Sequence, residues 1–127
     1  MRTLILATGS VVSATVLALT TASPALAASG EVYSVGANAR SYFNDQTDRL
    51  QACDRAENGE AAVAFFDVRQ ADGSWLRRGW VVDGNADGSC VGETVGVNRE
   101  GAQLRLWSCE IRNGALNNCN SGILPGI

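Results

Sequence analysis

The sequence predicts an all-β protein: one small antiparallel sandwich of six or seven strands, pinned by two disulfides and preceded by a signal peptide. Three observations carry this expectation. Apolar residues come in short runs, several of them alternating with polar ones, bounded by Gly, Asn and Asp clusters about every 12 to 15 residues. No segment keeps a 3.6-residue apolar period over three helical turns. Four cysteines follow an export signal, which points to an oxidising compartment and a disulfide framework.

The signal is expected at residues 1–27. Arg2 supplies a positive start, and Leu4 to Leu19 follow without a charge. Ala25 and Ala27 then form an A-x-A cleavage site before Ala28. The uncharged run is broken by Thr8, Gly9, Ser10, Ser13 and Thr15, and falls short of the ~20 apolar residues a membrane span needs. Residues 28–127 are then a single domain of about 100 residues with no membrane role after cleavage.

Within it, Val32, Tyr33 and Val35 suggest a short first strand. Thr47 to Cys53 ends in alternation, with Leu50 and Ala52 on one face and Cys53 on the other. Asn58-Gly59 turns the chain into Ala61–Arg69, whose Val-Phe-Phe content reads as a buried strand rather than a helix. Asp72-Gly73 makes the next turn, and Trp75 to Val82 is a further strand, with Leu76, Trp80 and Val82 predicted to face the core. Asp83 to Ser89 is a loop, Val91 to Val97 a weaker strand, and Asn98 to Gly101 a turn. Ala102 to Cys109 alternates cleanly, with Leu104 and Leu106 opposite Gln103, Arg105 and Trp107. The stretch from Cys109 to Cys119 is expected as an Asn-rich loop, followed by a short tail.

Four cysteines allow three pairings. Spacing favours Cys53–Cys90 and Cys109–Cys119. Chain-entropy arguments assign ~4 kcal/mol to the longer loop and ~3 to the shorter, large beside a total stability of about 5–15 kcal/mol.

Composition removes whole classes of function. The chain has 13 acidic and 10 basic residues, no His and a net charge of −3. Every base is Arg. No Ser-His-Asp triad, Cys-His pair, histidine metal site or Schiff-base lysine can form. An acidic balance also argues against nucleic acid and anionic membranes as partners.

In order and spacing the chain resembles a loose group of small secreted actinobacterial proteins with four cysteines. The shared elements are Leu50-Gln51-Ala52-Cys53-Asp54, the Asn58-Gly59 turn and the Trp-bearing strand Trp75 to Val82. A Gly/Asn loop into Cys90, then Glu100-Gly101 and Leu104 to Cys109, complete the likeness over about residues 45–120. The resemblance implies an immunoglobulin-like sandwich and no assigned activity. The characteristic cysteine segments of enediyne-carrier apoproteins and of small subtilisin inhibitors are absent.

Candidate sites are few. Asp83-Gly84-Asn85-Ala86-Asp87-Gly88 matches the first half of a calcium loop, with Asp83, Asn85 and Asp87 at positions 1, 3 and 5. Position 12 is Thr94 where glutamate is required, and Glu93 misses by one. The plainer reading is a polar hairpin loop. Trp75 and Trp107 share faces with Arg77 and Arg105, and are expected as a partly exposed surface for a sugar or a protein, or else as cover for the outer face. Of Arg77-Arg78, only one is expected to be fully exposed. Asp54, Glu57, Asp67 and Asp83 are the carboxylates from which a hydrolase would be built, although no spacing singles out a pair. The favoured expectation is a secreted, disulfide-stabilised binding domain, non-catalytic and without a cofactor, acting on a protein or cell-envelope polymer. A calcium-dependent binding module is the alternative, and a small carboxylate hydrolase the third.

Overall fold

The structure, a computed structural model, describes residues 29–124; the expected signal peptide lies outside them. The described residues form eight strands and no helix: β1 Gly30–Tyr33, β2 Ala39–Asn44, β3 Arg49–Asp54, β4 Ala61–Arg69, β5 Trp75–Asp83, β6 Val91–Thr94, β7 Leu104–Arg112 and β8 Ala115–Leu124. Two four-stranded sheets result, in the orders β1-β2-β3-β6 and β5-β4-β7-β8, and every strand pair is antiparallel. The all-β expectation holds, with one or two strands more than predicted.

The additional strands are β2 and β8. In β2, Ala39, Ser41 and Phe43 point inward, so Phe43 alone carries a strong apolar signal. β8 is polar through its middle, from Asn117 to Gly122 apart from Cys119, and forms through its ladder with β7. The turn joining them is Asn113-Gly114, both residues in the left-handed region at φ +50° and +77°. That is the type I′ pattern of a tight hairpin. The predicted Asn-rich loop between Cys109 and Cys119 is therefore a hairpin. Val35, by contrast, lies past the end of β1, and its N–H donates to the Asn118 carbonyl at 2.8 Å.

The core lies between the sheets. Phe43, Leu50 and Ala52 from one sheet meet Phe66, Val68, Val81, Leu104 and Leu106 from the other. The Phe43 and Phe66 rings pack at 4.7 Å. Each of the larger side chains contributes about 1.5–3 kcal/mol on burial.

Both disulfides form in the favoured pairing. Cys53 and Cys90 extend the β3–β6 register one step beyond Ala52 and Val91. Cys109–Cys119 closes the β7–β8 hairpin at a bulge, next to the Ser108–Asn120 pair. Their Cα separations of 4.4 and 4.1 Å are near the close spacing of non-hydrogen-bonded cross-strand pairs. Each bridge therefore staples neighbouring strands of one sheet, and neither joins the two sheets.

The position of Trp80 corrects the sequence expectation. Ala64 pairs with Val81 and Phe66 with Arg78, so Gly79 and Trp80 together oppose Phe65. This is a β-bulge, with Gly79 at φ +72°. The extra residue inverts the alternation of β5. Val81 and Asp83 turn inward, while Trp80 and Val82, predicted to be core, stand outside at 46% and 39% exposure. Gly79 is required for a second reason: a Cβ there would lie 2.9 Å from a Leu50 methyl and 3.1 Å from Val95.

Gly79→Ala should lower stability by roughly 2 kcal/mol or more, combining the ~1–2 kcal/mol left-handed cost with crowding against Leu50. Denaturant melts followed by Trp fluorescence check this. An unchanged midpoint would contradict the bulge.

Candidate functional site

The strand β4 is buried from Ala62 to Val68 on both faces. Its inward residues meet the other sheet, but its outward residues Val63, Phe65 and Asp67 have no second sheet above them. Side chains from the flanking strands β5 and β7 cover them instead. Register fixes which: Arg77 opposes Asp67 from one side and Arg105 from the other, and Trp107 opposes Phe65.

Asp67 is the centre of this cover, with its side chain 3% exposed. Arg77 donates Nε–H to Oδ1 at 3.1 Å. Arg105 donates from Nε and Nη2 to Oδ2 at 3.0 and 2.7 Å. Trp107 donates its indole N–H to the same oxygen at 2.8 Å. Burial alone pushes the Asp67 carboxyl up, but the hydrogen bonds from Arg105, Trp107 and Arg77 overcome it and hold the carboxyl below its ordinary value.

Around that carboxylate the rings and guanidiniums interleave. Phe65 is stacked between neighbours, 5.6 Å from Trp80 and 5.9 Å from Trp107. Arg77 lies 4.1 Å from the Phe65 centroid. Arg105 lies 4.6 Å from Trp75 and 5.2 Å from Trp107, and Arg69 covers Trp75 at 5.0 Å. Such contacts contribute about 0.5–1 kcal/mol each where exposed. The structure thus brings Trp75, Arg77, Arg105 and Trp107 onto one face. Sequence reading missed three members: Phe65, Asp67 as the anchor, and Trp80. The parity of β4 could have placed Phe65 and Asp67 there; nothing short of recognising Gly79 as a bulge would have placed Trp80.

At one end of the sandwich lies an open cleft of about 550 Å³, lined by Asp54, Glu57, Asn58, Glu60, Asp87 and Arg112 among others. Buried carboxylates crowd this end. Asp83 Oδ2 accepts the Asp54 N–H at 2.9 Å, and its Oδ1 accepts the Asn85 N–H at 3.1 Å. Glu110 is held by the side-chain amides of Asn58 and Asn118 at 2.7 and 2.6 Å. Burial raises the Asp54 carboxyl; the Ala56 N–H opposes the rise, and the Asp83 and Glu110 charges add to it.

The expected calcium residues lie at the end of β5 and in the loop that follows it. Asp83 is buried, whereas Asn85 and Asp87 are exposed. Asp87 accepts hydrogen bonds from the Ser89 hydroxyl and N–H, which hold its carboxyl below the ordinary value. Among the described residues, no three acidic or cysteine side chains group to hold a metal ion. Of the four hydrolase candidates, Asp54 and Glu57 line the cleft and Asp83 is buried beside it, whereas Asp67 sits on the outer face of the β5-β4-β7-β8 sheet. Arg78 turns away from Arg77 and donates to the Gly96 carbonyl at 3.0 Å.

No protein-family model, curated protein or solved structure matches the chain.

Asp67 and Asp54 should respond oppositely to pH. The depressed Asp67 value contributes stability above the unfolded value, about 3.9, which is lost as pH falls through the folded value. The raised Asp54 value does the reverse: its ionisation costs stability above the folded value. Asp67→Asn should therefore destabilise at pH 7 by roughly 1–3 kcal/mol and flatten the acid limb of the stability profile. Asp54→Asn keeps an oxygen acceptor for the Ala56 N–H and should be neutral or stabilising at pH 7. Melting temperatures between pH 2.5 and 8 check both.

Proposed function

We propose that this chain is an extracellular, disulfide-stabilised binding domain that acts without catalysis through the outer face of its β5-β4-β7-β8 sheet. Its partner is another protein or a polymer of the cell envelope. The secretion signal, the immunoglobulin-like affinity and membership of the secreted four-cysteine group belong to the same proposal. Two disulfides support it, because such bonds persist in oxidising compartments. No helix among the described residues is long and apolar enough to cross a membrane.

The observation that carries the reading is the ordered Trp/Arg array over Asp67. Binding hot spots are enriched in Trp and Arg, and they gain affinity when they are held in place before the partner arrives. Here the guanidiniums of Arg77 and Arg105 are already fixed by a buried carboxylate and by rings. Trp80, Val82 and Ile123 on the same face remain substantially exposed, at 46%, 39% and 53%. Covering β4 accounts for Trp107 and for the face of Trp80 stacked on Phe65; it does not account for the exposed surface of Trp80, Val82 and Ile123.

The test is retention of the oxidised protein by cell-envelope polymer and by culture-medium protein from the encoding organism. The wild-type chain should be retained by one of them, and Trp80→Ser/Ile123→Ser should bind at least about tenfold more weakly, a loss of roughly 1.4 kcal/mol or more, while keeping its circular dichroism. No retention of the wild type, or equal retention of the variant, would refute the reading.

A further inference from the structure

The chemistry of the outer face also selects a kind of partner. Sugars and nucleobases are bound by stacking on open aromatic faces. Those faces are largely taken here: two guanidiniums lie over Trp75, one lies over Trp107, and Trp107 and Trp80 both stack on Phe65. What the array turns outward is guanidinium N–H and apolar side chain. Arg77 uses only Nε on Asp67, and its side chain is 54% exposed. Arg105 uses Nε and Nη2, leaving Nη1. Arg69 is exposed and stacked on Trp75. Two guanidiniums thus share the buried Asp67 carboxylate, while the third, Arg69, has Asp72 beside it at the margin. A cationic patch remains on a chain whose net charge is −3.

We propose that the partner presents an acidic protein segment, with Asp or Glu carboxylates for Arg69, Arg77 and Arg105 and an apolar residue seated against Trp80 and Val82. This rests on the binding function proposed above and names its ligand class. Arginine suits the role because its planar fork meets a carboxylate with two parallel hydrogen bonds. Because the guanidiniums are already stacked, little rotamer freedom is lost on docking. The acidic remainder of the chain repels the same segment elsewhere and so confines it to this face.

The probes are a Glu/Leu repeat peptide, its Gln-for-Glu counterpart and an oligogalacturonate. Each is titrated into the ¹⁵N-labelled protein while the Trp indole signals are followed. The Glu/Leu peptide should shift the Trp75 and Trp80 signals saturably. The Gln counterpart should bind at least tenfold more weakly, added salt should weaken the Glu/Leu peptide several-fold, and Arg69→Gln should weaken it at least threefold. Equal binding of the Gln peptide, or tighter binding of oligogalacturonate at the same signals, overturns the proposal. If no probe shifts the indoles, retention by envelope or medium protein that Trp80→Ser/Ile123→Ser abolishes leaves the binding function standing without the acidic partner. Absence of that retention removes both.

Discussion

Strand β4 is buried on both faces, although only one of them has a second sheet to pack against. That imbalance governs the molecule. The inward residues Ala62, Ala64, Phe66 and Val68 are covered by the facing sheet. The outward residues Val63 and Phe65 are just as dry, and only side chains of the same sheet are available to keep them so. Rings and guanidiniums from β5 and β7 do this, and Asp67 fixes them in position. A buried carboxylate is costly unless its charge and lone pairs are met. Three donor side chains meet it here, so the same contacts cover the strand and satisfy the charge.

The bulge at Gly79 completes the arrangement. It inverts β5 and carries Trp80 from the predicted core to the outer stack, against Phe65. A regular strand would have placed an indole between the sheets and left Phe65 open on that side. Each disulfide lies within one sheet, one holding β8 to β7 and the other tying Cys90, just before β6, to β3. The edges are thereby fixed while the core between the sheets remains apolar packing.

Much of this was legible in the sequence because period-2 alternation reports directly on faces. β7 follows from it, as do the outward positions of Cys53 and Cys109 and the common face of Trp75 with Arg77 and of Trp107 with Arg105; β4 follows instead from its Val-Phe-Phe content. Two kinds of element were not legible. β2 and β8 carry few large inward apolar residues: Ala39 and Ser41 take two of the three inward sites of β2, and asparagines on β8 are held by Glu60, Glu110 and the Tyr33 carbonyl. The outward position of Trp80 was hidden because a single left-handed glycine reverses every residue after it, and local composition does not mark that reversal. The calcium-like spacing also leaves the local geometry unspecified: Asp83 is the inward end of a strand, while Asp87 belongs to an exposed loop.

A buried carboxylate holds the outer array rigid. Hydrogen exchange of the Trp107 indole N–H tests this most directly, because that group donates to Asp67 at 2.8 Å. Exchange should be at least about tenfold slower than at the half-exposed Trp80, with the difference abolished in Asp67→Ala. Exchange at Trp107 as fast as at Trp80 in the wild-type protein would contradict it.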